Sequence, residues 1–343
     1  MDPLTHTLSG LVLANLIPAG DSRLGYTATL VIAANLPDID FITKPMKRLG
    51  SPKYYHNVTH SILGVLSLSV GAAWALHAAY PYTRFVVVAG LMLLGSTVHI
   101  VLDTLRTSSY VRLLWPLSLR QTSMELLVGL SPYTASKRCG KTPYLTCPLC
   151  QLRSACLNPF LLSLGIGWVL SLLLPASRFL ISAAAIAVPI VWSLVLAISK
   201  RRVRKRLLGL YPEIDPRRLR IYPSHLIPFR WLAISEGRNT YRIFDARDAR
   251  EPKITERPQL PKPETLEEPL IERSKQGGLY GHIAGRLVYP YAQVHRDERG
   301  GYLVTWTDLR FSMDPRVALY TLKCRFDANM LPLSEEFRER WYP

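Results

Sequence analysis

Four apolar stretches, residues 61–79, 84–102, 159–174 and 179–199, decide what this chain can become. Each approaches the ~20 residues that an α-helix needs to cross a ~30 Å hydrocarbon core. Inside lipid every backbone N–H and C=O must find an internal partner, so the stretches read as membrane helices. The third is the shortest and is bounded by Pro159 and Pro175. Two shorter runs, 7–18 and 24–36, precede them and fit a re-entrant hairpin as well as two full spans. The chain opens Met1-Asp2, with no basic n-region and no small-residue cleavage site, so the first helix is expected to be retained.

Charge orients these helices. The chain carries a net charge of +17, and its Lys and Arg residues gather at 44–53, 106–153 and 200–206. The positive-inside rule places all three regions in the cytoplasm and leaves the short connections 80–83 and 175–178 outside. The run Lys200-Arg201-Arg202-Val203-Arg204-Lys205-Arg206 directly follows the last apolar stretch. At about 1 kcal/mol per basic residue, it can hold the domain that follows against anionic lipid of the inner leaflet. A nucleic-acid partner is disfavoured, because aromatic interleaving around Tyr211 and Tyr222 is thin and no binding motif occurs.

The expected fold is mainly α, a polytopic membrane helical bundle with a small β-rich cytoplasmic C-terminal domain. Residues 1–105 form the helical hairpins, 106–158 a polar cytoplasmic insertion, 159–199 a transmembrane hairpin, and 200–343 a basic linker and the β-rich domain. Strands are expected at 219–223, 229–235, 239–245, 285–295 and 301–311, with Asp297-Glu298-Arg299-Gly300-Gly301 as a hairpin turn. The Pro-, Glu- and Lys-rich segment 251–270 reads as an extended linker or surface loop.

Two hexapeptides, Thr5-His6-Thr7-Leu8-Ser9-Gly10 and Thr59-His60-Ser61-Ile62-Leu63-Gly64, each begin an apolar run. Pro37-Asp38-Ile39-Asp40 follows the first, and His99-x3-Asp103 follows the second. With His56, one turn before His60, this gives seven candidate metal ligands: His6, Asp38, Asp40, His56, His60, His99 and Asp103. Antiparallel hairpins bring all seven to the cytoplasmic face of the membrane. Ionisable groups at such depth are costly unless they serve a function. Imidazole with carboxylate suits zinc, and also manganese or ferrous iron. Seven ligands exceed the needs of one tetrahedral ion, so two ions are expected, which would activate a water and clamp the oxygens of a displacement at phosphorus. One of the Asp38 and Asp40 carboxylates is the candidate catalytic base. Thr5 and Thr59 read as N-caps with a second-shell role open to their hydroxyls, and Gly10 and Gly64 as sites of close helix packing. His77 and His225 lack partners at ligand spacing and read as interfacial or surface residues.

These motifs, with Trp115-Pro116 and the late Thr307-Asp308-Leu309-Arg310-Phe311, resemble the LexA-binding, inner-membrane-associated metal-dependent hydrolase family. The resemblance covers most of the chain outside 130–158. It implies a membrane-bound metal hydrolase with a more distant likeness to zinc-dependent phospholipase C. Asn57 departs from the pattern, since an Arg commonly stands there in the family.

The insertion carries Cys139, Cys147, Cys150 and Cys156 within 18 residues. A structural zinc, an iron–sulfur cluster and free or redox-active thiols all remain open for them, whereas cytoplasmic disulfides are disfavoured. Cys324 stands apart and reads as a core residue.

The expectation is thus a phosphoester hydrolase acting on a lipid or lipid-linked substrate at the cytoplasmic leaflet. The alternative is a non-enzymatic membrane scaffold that binds a protein regulator and uses the metal for structure. A metal transporter would place its ligands near the midplane rather than at one edge.

Overall fold

The computed structural model describes residues 3–18, 23–39, 58–81, 84–105, 111–118, 120, 122–127, 159–223, 229–265, 268–284, 287–296, 300–311 and 320–339. Asp40, His56, Asn57, the four cysteines of the insertion, His225 and the tip of the expected 297–301 turn lie outside them. The described residues divide into two compact units, those up to 127 with 159–197, and those from 198 onward.

The first unit is helical, with α1 (Pro3–Ala14), α2 (Arg23–Asn35), α3 (Ile62–Ala79), α4 (Phe85–Thr104), α5 (Pro159–Leu173) and the start of α6 (Arg178–Leu210). Three described helical segments are long and apolar enough to cross a membrane: Ile62–Ala79, Phe85–Thr104 and Pro175–Leu210. The apolar part of α5, Phe160–Leu173, is shorter. Leu66, Val70 and Trp74 of α3 and Leu180, Val191 and Leu194 of α6 are exposed. Lipid is as apolar as these side chains, so a membrane helix need not hide them.

Small residues set how closely the helices approach. A Cβ on Gly10 of α1 would lie 2.8 Å from the Leu30 carbonyl oxygen of α2. One on Gly95 of α4 would lie 2.6 Å from Ala33 Cβ and 3.1 Å from the same Leu30 oxygen. Helix α2 is therefore approached closely by both α1 and α4. Ser96 of α4 donates to the Ala33 carbonyl and accepts from Ser69 of α3. Toward the other end of the bundle, Asn15 donates to Ser171 and Ser182 and accepts from Arg23, linking α1, α2, α5 and α6 by polar contacts.

Two expected caps differ from what is found. Thr5 lies inside α1, which starts at Pro3, a residue whose fixed φ suits a first helical turn. Ser61, not Thr59, caps α3 by accepting from the Gly64 N–H.

The second unit holds two antiparallel sheets. In the first, β1 (Leu219–Pro223), β2 (Arg230–Glu236), β3 (Thr240–Arg247) and β4 (Lys253–Glu256) are neighbours in order, and β5 (Leu260–Pro261) also pairs with β3. Ile221 faces Ala233 across the first pair, and Ile234 faces Ile243 across the second. β2 is buried on both faces: Leu232 and Ile234 pack with Tyr222, Tyr241 and Leu309, whereas Trp231 donates to Ser199 of α6. The second sheet is a meander of β6 (Pro290–Arg296), β7 (Tyr302–Asp308), β8 (Tyr320–Phe326) and β9 (Pro332–Glu339).

The segment 251–270 is not a plain linker. It supplies β4, β5, a 3-10 turn and the start of α7 (Pro269–Lys275), whose Leu270 and Ile271 are buried with Trp306, Leu322 and Cys324. Helix α8 (Gly278–Ala284) follows. The last two strands are shorter than expected: β6 begins at Pro290, and β7 ends at Asp308, where a 3-10 turn over Leu309–Phe311 takes over. The basic run 200–206 is helical and forms the late turns of α6.

Candidate metal centre

Five of the seven sequence-predicted ligands are described, and the fold gathers them at one end of α1 to α4. Asp40 and His56 are outside the described residues. His6 lies one helical turn from Gly10, and His99 one turn from Gly95, so the two glycine contacts with α2 also draw the two imidazoles together. Their rings stack with centroids 3.7 Å apart and planes 18° from parallel. Asp38 sits in the 3-10 turn 36–39 that ends α2, His60 just precedes α3, and His99 and Asp103 share one face of α4.

Asp38, His60, His99 and Asp103 each offer one ligand atom, and these atoms all lie within 4.8 Å of one another. The two Nε2 atoms of His60 and His99 are 3.2 Å apart. Asp38 Oδ1 is 3.4 Å from His60 Nε2 and 3.6 Å from His99 Nε2. Asp103 Oδ2 is 3.5 Å and 3.6 Å from the same two nitrogens. A tetrahedron with the ~2.0–2.1 Å bonds of zinc has edges of about 3.3 Å. The spacing therefore fits a small divalent ion.

The imidazoles are oriented for that role. His99 Nδ1 lies 2.7 Å from the Ala34 carbonyl oxygen, which can only accept, so Nδ1 carries a proton and Nε2 is turned toward the other ligand groups. Nε2 faces two carboxylates and a second imidazole nitrogen, a donor set that suits a divalent cation. His60 is held by Thr59, whose Oγ1 is 2.9 Å from Nδ1. Contacts of this kind fix the tautomer of a metal-binding histidine and orient its ring. Thr59→Val should weaken metal binding by roughly 10- to 100-fold, and Thr59→Ser should retain it, as measured by chelator competition.

Burial pushes the Asp38 carboxyl up, but the His60 hydrogen bond and the charges of His99 and His60 more than offset this and hold it at about 2. Asp38 is thus a carboxylate at neutral pH. It is also the accessible member of the set, with its side chain 30% exposed, whereas those of His60 and Asp103 are 0% and 4% exposed. His6 lies beside the four rather than among them. Its Nε2 is 3.5 Å from Asp103 Oδ1, the carboxylate oxygen turned away from His60 and His99. Asp103 therefore faces two histidine groups, one through each oxygen.

Residues 1–171 match the family model described as YdjM inner membrane protein. The whole described metal centre falls inside this YdjM-like half, as do two of the three apolar spans. The match and the apolar helices together support a membrane location. No curated protein and no solved structure matches the chain.

Spacing alone did not single out two further groups in the YdjM-like region. Arg112 lies in a segment stitched to the start of α3, where the Ile62 N–H donates to the Leu113 carbonyl. Its Nε is buried with no hydrogen-bond partner among the described residues. Glu125 is buried near the C-terminal end of α4, the end that carries Asp103, on the segment whose N–H groups reach the Thr104 and Leu105 carbonyls, and its φ of 51° is left-handed. A single Arg or Glu in a polar insertion carries no periodic signal that would have marked it. His77 lies in the last turn of α3 near Phe85, away from the cluster. Cys324 is buried among apolar residues of the second sheet.

Proposed function

We propose that this chain is a membrane-bound, metal-dependent hydrolase acting on a phosphoester of a lipid or lipid-linked substrate. The observation that carries this reading is the convergence of His99 Nε2 with Asp38, Asp103 and His60 in a buried site, while His99 Nδ1 is held by the Ala34 carbonyl. Asp38, His60, His99 and Asp103 would hold one divalent ion, and His6 with the second oxygen of Asp103 would contribute to another. A divalent ion bound there supplies Lewis acidity toward water and toward a phosphoryl oxygen. The chain's own groups do the rest. Ala34 and Thr59 hold the imidazole rings, and Asp103 fixes the spacing between His6 and the other histidines.

Two features favour an anionic substrate at the membrane surface. His60 precedes one candidate span and Asp103 lies in the last turn of the next, so the centre lies at the edge of the apolar region. Arg112, whose Nε has no hydrogen-bond partner among the described residues, offers a cation to a phosphate. The partly exposed Asp38 is the candidate base, with Asp40 as the expected companion. On this reading the centre and the β-rich domain face the cytoplasm, in line with the distribution of basic residues.

The test is elemental analysis of the purified protein, followed by a panel of water-soluble phosphomonoesters, phosphodiesters and phospholipids. Turnover lost in Asp38→Asn but retained in His77→Ala supports the reading; metal-loaded protein inert across the panel refutes it. A second reading has its own observation: four ligands at tetrahedral spacing form a set that could be closed around one structural ion. The protein would then be a scaffold that binds a regulator, and removing the metal would lower stability with no catalytic consequence.

A further inference from the structure

We infer that Arg201, Arg202 and Lys205 form a binding site for the headgroups of anionic phospholipids, at the leaflet where α6 leaves the hydrocarbon. Six basic residues crowd the segment 200–206, yet the fold gives them different tasks. Arg204 donates to the carbonyls of Leu219 and Pro216. Arg206 donates to Asp248 at 2.9 Å. Both therefore tie the helix to its own domain. Arg201, Arg202 and Lys205 are exposed, and no hydrogen bond or ion pair engages them among the described residues.

Helical geometry separates the two groups by face. At about 100° per residue, Arg201, Lys205 and Arg202 fall within an arc of about 100°, whereas Ser199, Val203 and Leu207 occupy the opposite side. Ser199, Val203 and Leu207 are 2%, 1% and 0% exposed, and Ser199 accepts from Trp231. The side facing the first sheet is thus filled by protein, and the cationic arc points away from it. Ile198 lies in the same arc one turn earlier and is 49% exposed. An exposed aliphatic followed by three free cations, at the end of a candidate span, matches the order in which a lipid presents acyl chain and phosphate.

Nucleic acid also attracts cations, but nothing on this arc offers an aromatic to stack a base. The lipid phosphate is the occupant that the adjoining apolar helix brings within reach. This inference is independent of the metal centre and of any hydrolytic activity.

The test uses the full-length protein in detergent, with phosphatidylglycerol and phosphatidylcholine titrated separately and bound lipid counted by native mass spectrometry. The wild type should prefer phosphatidylglycerol by at least ~10-fold, and the preference should shrink as salt rises. R201Q/R202Q/K205Q should abolish it, and R201K/R202K should preserve it. R217Q/R220Q/R247Q removes three exposed charges elsewhere in the same unit and should leave it intact. Retention of the preference in R201Q/R202Q/K205Q would overturn the inference, as would equal losses in the two triple variants. A single-stranded oligonucleotide that displaces phosphatidylglycerol from the wild type would reassign the arc to nucleic acid.

Discussion

Replacing His60 and Asp103 together by alanine should abolish metal binding at the candidate N-terminal centre. The pair supplies two of the four ligand atoms that lie within 4.8 Å of one another. Asp38 and His99 would remain, fewer than the three or four protein ligands that zinc sites use, so bound metal should fall below about a tenth of the wild-type content. The same change withdraws Asp103 Oδ1 from His6, so no second ion is held in its place. Elemental analysis of purified, monodisperse protein reads the result. His77→Ala is the matched control, because that imidazole lies in the last turn of α3. Cys147→Ser with Cys150→Ser separates any metal held by the cysteine insertion. Unchanged metal content in His60→Ala/Asp103→Ala, with the cysteines already replaced, would end the metal-centre assignment.

The centre was legible in the sequence because lipid makes ionisable groups expensive. A histidine or aspartate at the edge of an apolar run stands out, and i,i+4 spacing alone puts His99 and Asp103 on one face of a helix. What spacing could not supply was backbone chemistry. The Ala34 carbonyl that fixes the His99 tautomer has no side-chain signature, and Gly95 looks like any other glycine in an apolar helix until Ala33 is placed against it. The β-rich unit was legible in outline, from short β-branched and aromatic runs. Segment 251–270 was misread because its composition is polar overall, although Leu270 and Ile271 alone suffice to bury α7 under the second sheet. Thr59 was misread as a cap for a related reason. A cap and a histidine-orienting hydroxyl need the same residue type, and only the position of Ser61 decides between them.

The largest stability effect is expected in the second unit, at Asp308. This residue closes β7, and both oxygens of its fully buried carboxylate are in use. Oδ2 accepts from the Val288 N–H at 2.8 Å and from Arg310 Nη2 at 2.7 Å, and Oδ1 accepts from the Arg310 N–H at 2.9 Å. The Arg310 side chain is itself only 3% exposed. Between the two charges lies Leu309, which packs with Tyr222, Leu232 and Tyr289 and whose N–H donates to the Tyr289 carbonyl. Asp308 therefore fixes the turn that inserts Leu309 into a core shared with β1 and β2. Removing one member of a buried pair typically costs 3–5 kcal/mol, because the remaining charge stays desolvated without its counter-ion. Asp308→Ala should destabilise the unit by about that amount, seen as an earlier denaturant midpoint in the fluorescence of the buried Trp231 and Trp306. Asp308→Ala with Arg310→Leu should recover part of the loss, since no guanidinium is then left buried. An unfolding free energy within about 1 kcal/mol of wild type for Asp308→Ala would show that the pair is no more valuable than an exposed one.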